Sequence, residues 1–211
     1  AFNLIDGLDG LASGVAFIVS VTIFAIALIK EDSATAMMAL LLAGSLLGFL
    51  RYNFQGAKIF LGDSGSLFIG FSLAILSMQS STKGSTAFSI LVPMLALGFP
   101  IMDTGLSMIR RFIKSVLPET QKPSSIMGKV VTMFHPDKGH IHHQLVARGF
   151  SHRKAVLVLY FVSCLFGVGA FAVTFTNSFA SSLIVISIAV ATFVGVSQLR
   201  YREMAILRNG L

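Results

Sequence analysis

Residues 1 to 11 read AFNLIDGLDGL and residues 60 to 70 read FLGDSGSLFIG, so Asp6, Asp9 and Asp63 all sit in glycine-rich sequence at the edge of long apolar runs. An acidic side chain in a bilayer helix costs about 2.5–3.5 kcal/mol on insertion scales, and it persists mostly where it binds something. Asp6 and Asp9 are three apart and would share one face if a helix begins near them. Carboxylates that close repel unless a cation or a donor lies between them. Gly7 and Gly10 lower helix propensity and allow close backbone approach. Contact with a metal, a nucleotide or a nucleophile is one reading of the pair, and helix capping is the plainer one. Asp63 could likewise cap the helix that follows it. It could also offer a carboxylate to Mg²⁺ while the N–H groups of Ser64–Ser66 face a phosphate. Hard oxygen ligands favour Mg²⁺ or Mn²⁺ over zinc.

A second cluster, His140, His142 and His143, spells H-I-H-H. Imidazole can donate to phosphate, transfer a proton or bind zinc. No Cys-rich or H-E-x-x-H pattern supplies a zinc set, so contact with phosphate or substrate is the preferred reading over zinc and over a plain surface role. His135 and His152 are weaker candidates. Asp103 lies inside an apolar run after Pro100 and is expected to partner a histidine or arginine. Arg51, Asn53 and Lys58 flank the same edge as the aspartates and suit phosphate or base, or simply set topology. Phe60 could stack on a base or face lipid. Cys164, the one cysteine, is read as packing.

The elements that must position these residues are membrane helices. Of 211 residues, 55% are hydrophobic and 12% charged, and the mean hydropathy is +0.83. That excludes an ordinary soluble domain. A single cysteine excludes a disulfide scaffold. A bilayer core needs about 20 helical residues. The uncharged stretches Gly10–Ile29, Ser33–Leu50, Ser64–Thr82, Gly84–Met102 (running on to Ile109) and Ala155–Leu199 meet that need. The last holds two helices with a turn at Thr176-Asn177-Ser178. The expectation is an all-α, polytopic membrane helix bundle of about six spans. It forms a single integral membrane domain over 1–211, with one long loop at 110–154 that carries the histidines. Residues 139–149 could form a short amphipathic helix within that loop.

The formal net charge of +7 reflects topology and not nucleic acid. Of the 16 Lys and Arg, all but Lys30 and Lys83 fall on one side of the alternating spans. That side is expected to be cytoplasmic, and it also receives the five histidines, Asp6, Asp9 and Asp63. The chain opens at Ala1 with no basic n-region or cleavage site, so no signal peptide is expected. It opens inside a motif, so a fragment or processed chain with upstream helices absent is expected.

Three segments together resemble the polyprenyl-phosphate N-acetylhexosamine-1-phosphate transferases. They are N-L-I-D-G-L-D-G-L-A at 3–12, F-L-G-D-S-G-S-L at 60–67 and P-D-K-G-H-I-H-H at 136–143. The spelling of the last, with P-I-M-D-T at 100–104, resembles the branch that starts teichoic acid, enterobacterial common antigen or O-antigen synthesis. The phospho-N-acetylmuramoyl-pentapeptide translocase branch typically has three consecutive histidines. The resemblance implies transfer of a sugar 1-phosphate, N-acetylglucosamine 1-phosphate by branch, from a UDP-sugar to undecaprenyl phosphate with release of UMP. It implies Mg²⁺ (or Mn²⁺) on Asp63, an active-site and nucleoside role for Asp6 and Asp9, and a matching role for Asn3. Asn53 maps to a polar contact, Phe60 to the aromatic near uracil, and His140, His142 and His143 to the diphosphate. Arg51 and Lys138 are added as candidates for the anionic substrate. The implied setting is a bacterial plasma (inner) membrane, multi-pass, with the site on the cytoplasmic face. Dimeric relatives make a homodimer an expectation. Two departures stand out: the family's earlier aspartate pair is absent from this chain, and Gly139 stands where relatives often carry Gln or another polar residue. An ion-coupled carrier is the competing reading, built on Asp103 and broken helices. It would carry inverted repeats, and none is visible. A lipid-binding scaffold leaves the glycine-flanked aspartates unexplained.

Overall fold

The computed structural model describes residues 1–54, 56–79, 91–116, 141–176, 179–192 and 194, with only the helical backbone at 91 and 110–116. The described residues form helices and no strand. These are α1 (Phe2–Ile5), α2 (Leu11–Ile29), α3 (Ser33–Asn53), α4 (Gly62–Gln79), α5 (Leu91–Ala96), α6 (Gly98–Val116), α7 (Ile141–Ala147), α8 (His152–Phe175) and α9 (Phe179–Thr192). This is an all-α membrane protein. Three helices, α2, α3 and α8, are long and apolar enough to cross a bilayer by length and composition, and α9 is a shorter apolar helix. Of the six expected spans, these three meet that standard among the described residues. The G-D-S-G-S sequence dilutes the first turn of α4, and residues 80–90 lie outside the described ones.

The core is centred on α2. Leu11, Val15, Val19, Ile23 and Ile26 are buried along it, and it packs against α3, α4 and α8. Two of these neighbours turn small residues inward, whereas α4 buries Ile69, Leu73 and Leu76. In α3, Ala36, Ala39 and Ala43 are buried while Met37, Met38, Leu40, Leu41 and Leu47 are exposed. In α8, Ala155, Ser163 and Ala170 are buried while Leu157, Phe161, Leu165 and Val168 are exposed. Water would reverse that order. A lipid solvent rewards it, because small residues bring helix backbones together and large apolar ones face acyl chains.

Local chemistry sets the helix ends. The Asp32 carboxylate caps α3, accepting from the Thr35 hydroxyl at 2.9 Å and the Thr35 N–H at 3.4 Å. Pro100 breaks the fourth apolar run between α5 and α6. Its ring would meet the Ala96 carbonyl, and it brings no N–H to bond it. The ladder crosses that break through Leu97 N–H to the Pro93 carbonyl (3.0 Å) and Ile101 N–H to the Leu97 carbonyl (3.1 Å). The fifth run divides where the sequence suggests. Thr176 is extended (φ −102, ψ 156) and ends α8, and its hydroxyl pairs with that of Ser181 at 2.9 Å. Residues 177–178 of the expected turn lie outside the described residues. Helix also intrudes on both ends of the expected loop at 110–154, since α6 runs to Val116 and α8 starts at His152.

Candidate active site

The D-G-L-D-G segment is a turn and not a helix face. Asp6 ends α1, residues 6–10 cross over, and α2 starts at Leu11. The expectation that Asp6 and Asp9 share a helix face is therefore corrected. Two glycines within five residues oppose helix, and Gly10 adopts φ 78, a left-handed conformation that side chains resist. Gly10 itself occupies the N-cap position of α2, with no side-chain cap. Capping does not account for the aspartates.

Asn53 ties this turn to the α3–α4 connection. It is 4% exposed. Its Oδ1 accepts from Gly10 N–H at 3.1 Å and from the Ser13 hydroxyl at 2.9 Å, and its Nδ2 donates to the Ile59 carbonyl at 2.9 Å. Asp9 Oδ2 accepts from Ala57 N–H at 3.0 Å. Asn3 Oδ1 accepts from the Ser66 hydroxyl at 3.0 Å, joining α1 to the first turn of α4. Asp63 lies in that turn, exposed. Burial first, then the charges of Asp63 and of Asp9, push the Asp6 carboxyl above its ordinary value. Asp63 and Asp9 thus both fall within electrostatic reach of Asp6.

The histidine motif docks onto the same turn. His142 is 2% exposed. It packs so closely on Gly7 that a Cβ there would run into its imidazole. The His142 and His143 rings lie 4.2 Å apart between centroids, and His143 is exposed. Asp103, fully buried in α6, accepts from Ile141 N–H at 2.8 Å and so holds the start of α7. The sequence pointed Asp103 at a histidine or arginine side chain, whereas this bond goes to the backbone next to His142. His135, Lys138 and His140 lie outside the described residues. Arg51 is exposed in the last turn of α3, where it also suits the helix dipole. Phe60 is 75% exposed.

Two polar groups at the turn carry no sequence signal of their own. The Ser13 hydroxyl (3.3 Å) and the Tyr160 phenol (2.5 Å) both donate to the Gly10 carbonyl. A cleft of about 410 Å³ brings His152 and Arg153 of α8 beside Asp9, Phe54 and Gly56. Elsewhere, the three guanidinium nitrogens of Arg148 are shielded from solvent and have no hydrogen-bond partner among the described residues. Among the described residues no group of three His, Cys, Asp or Glu forms a metal-ligand set. Magnesium needs only one or two carboxylates, taking water and phosphate oxygens for the rest, and the aspartate oxygens here fit that requirement.

Residues 1–81 match the family model for glycosyl transferase family 4. The chain is 45% identical over 170 residues to the "Probable undecaprenyl-phosphate N-acetylglucosaminyl 1-phosphate transferase" of Bacillus subtilis (strain 168), covering 81% of this chain and 43% of that protein. It is 35% identical over 196 residues to a decaprenyl-phosphate N-acetylglucosaminephosphotransferase of Mycobacterium leprae, covering 84% and 46%. It is 27% identical over 163 residues to the undecaprenyl-phosphate alpha-N-acetylglucosaminyl 1-phosphate transferase of Escherichia coli (strain K12), covering 75% and 40%. The chain spans less than half the length of these curated relatives. The chain belongs to glycosyl transferase family 4, the polyprenyl-phosphate N-acetylhexosamine-1-phosphate transferases that its three motifs resemble.

Proposed function

We propose that this protein transfers N-acetylglucosamine 1-phosphate from its UDP-sugar to undecaprenyl phosphate at the cytoplasmic face of a bacterial plasma membrane, releasing UMP. The observation that carries this reading is the docking of His142 on the Asp6–Gly10 turn with Asp63 in electrostatic reach. The lipid phosphate oxygen attacks the sugar-bearing phosphorus, and the bond from that phosphorus to UMP breaks. Such a transfer asks mainly for alignment and charge neutralisation. Asp63, exposed at the start of α4, would hold Mg²⁺, which supplies positive charge to the diphosphate when bound. His142 and His143 supply donors for anionic oxygens. Asp9 and Asn53 hold the nucleoside side, with Phe60 free to stack on the base. The acceptor lipid is confined to the bilayer, so the reacting phosphate meets these residues at headgroup depth.

The test is transfer of radiolabelled sugar phosphate from UDP-N-acetylglucosamine to undecaprenyl phosphate, in membranes expressing the full natural coding sequence. Transfer with UMP release, lost in EDTA and restored by Mg²⁺, is expected. Asp63→Asn is expected to lower turnover by at least about a hundredfold with membrane insertion intact. Failure of transfer with every UDP-sugar tried would overturn the reading, and near-normal turnover by Asp63→Asn would remove the metal role from that residue.

A further inference from the structure

Tyr160 lies within the V-L-V-L-Y-F stretch of α8, half-buried, where a phenol hydroxyl usually finds a hydrogen-bond partner. Its hydroxyl donates to the Gly10 carbonyl at 2.5 Å. Its ring stacks on Phe54 with centroids 6.4 Å apart and planes at 28°. The ring also lies so close to Gly14 that a Cβ there would overlap it. Gly10 and Gly14 are one helical turn apart, and together they open a notch on α2 that Tyr160 fills.

The bond falls on the Gly10–Leu11 peptide, next along the chain from the Asp9–Gly10 peptide whose N–H donates to Asn53, so both sides of the residue that follows Asp9 are held. Gly10 holds the left-handed conformation that turns the chain into α2. Its N–H is fixed by Asn53, and its carbonyl accepts from Gly14 N–H (2.9 Å), the Ser13 hydroxyl and Tyr160. The partners of these two groups come from α2 and α3, apart from the phenol, which comes from α8. That helix follows the histidine helix α7 after only residues 148–151. The structure thus clamps the two motif regions together twice, by His142 on Gly7 and by Tyr160 on Gly10.

We infer that Tyr160 is a positioning residue, which holds Asp9 in register for the nucleotide donor through the Gly10 carbonyl. The inference rests on the transferase reading and on the nucleoside role of Asp9 within it. Tyr160→Phe keeps the ring, the Phe54 stack and the Gly14 contact and removes only the donor hydroxyl. Loss of one such bond is expected to raise the KM for the UDP-sugar about five- to tenfold. The expected kcat stays within about twofold and the polyprenyl phosphate KM is unchanged, with the same loss in UMP affinity by calorimetry on purified protein. A purely packing role would leave donor KM and UMP affinity alone, because the ring remains. Unchanged donor KM, or a fall confined to kcat, in an active wild-type background would overturn the inference and leave the transferase reading standing. An inactive wild type would instead sink the transferase reading. Calorimetry still decides in that case: lower UMP affinity in Tyr160→Phe supports the inference, and equal affinity overturns it. If Tyr160→Phe fails to accumulate, 3-fluorotyrosine at position 160 keeps the ring and changes the donor strength of the hydroxyl, and unchanged donor KM with unchanged UMP affinity overturns the inference.

Discussion

At the scale of single residues, the site gathers negative charge around Asp6. The raised Asp6 carboxyl records this, because burial and the charges of Asp63 and Asp9 all disfavour its ionised form. The folded state therefore holds the Asp6 proton more tightly than the unfolded chain does. Stability falls as pH rises from the ordinary carboxylate value through the raised one, and it stays reduced above it. In EDTA at neutral pH, Asp6→Asn is expected to raise the thermal midpoint in detergent. The gain should shrink at about pH 4, near the ordinary carboxylate value, and again when Mg²⁺ restores the missing charge. A midpoint lowered by Asp6→Asn under all three conditions would mean that Asp6 is held by favourable contacts instead. The residues that fix the aspartates in place are neutral. Asn53 and Ser66 use hydroxyl and amide chemistry, which ties the backbone without adding charge to an already crowded site.

At the scale of elements, α7 is the piece whose placement is least secured by its own sequence. It is seven residues long, too short to be stable as an isolated helix in water. Its position rests on Asp103, whose carboxylate accepts from Ile141 N–H, and on the burial of Ile141, His142 and Leu145. Asp103→Ala leaves a buried N–H without its acceptor, a loss of about 1–3 kcal/mol. Faster amide exchange confined to residues 141–147 is expected, with at least about a tenfold loss of turnover. Global unfolding in place of that local change would assign Asp103 to the core and not to the histidine helix. The longer helices need no such anchor. Their small residues at the interface and large residues outside hold them wherever lipid is the solvent.

At the scale of the whole molecule, the outward face of α8 reports which solvent the bundle occupies. Cys164, expected from the sequence to pack, is instead exposed midway along this 24-residue helix, beside the exposed Phe161, Leu165 and Val168. Among those large apolar side chains the thiol is out of reach of a charged, water-soluble reagent wherever lipid covers the helix. A charged maleimide is expected to leave Cys164 unlabelled in intact membranes and to label it fully after denaturation in SDS. Rapid labelling without denaturant would place that face of α8 against water.

The sequence by itself determined the membrane class, the helical runs and the residue types of the site. Each follows from local rules: hydropathy over about twenty residues, glycine beside aspartate, and proline at Pro100 and the polar run from Thr176 as punctuation. Even the family was legible, because three short motifs in fixed order are hard to reach by chance. Local rules do not reach further than a few turns of chain. Tyr160 reads as one more aromatic in an apolar helix, and Ser13 as one more small residue, until folding sets both against the Gly10 carbonyl. The expected helix face for Asp6 and Asp9 failed for the same reason. Helical spacing assumes a helix, and the left-handed Gly10, held by Asn53 from another element, makes a turn there instead. Only the tertiary structure decided that His142 meets Gly7 and that Asp103 holds α7. Contacts between residues far apart in sequence depend on how helices pack, and no single segment encodes that.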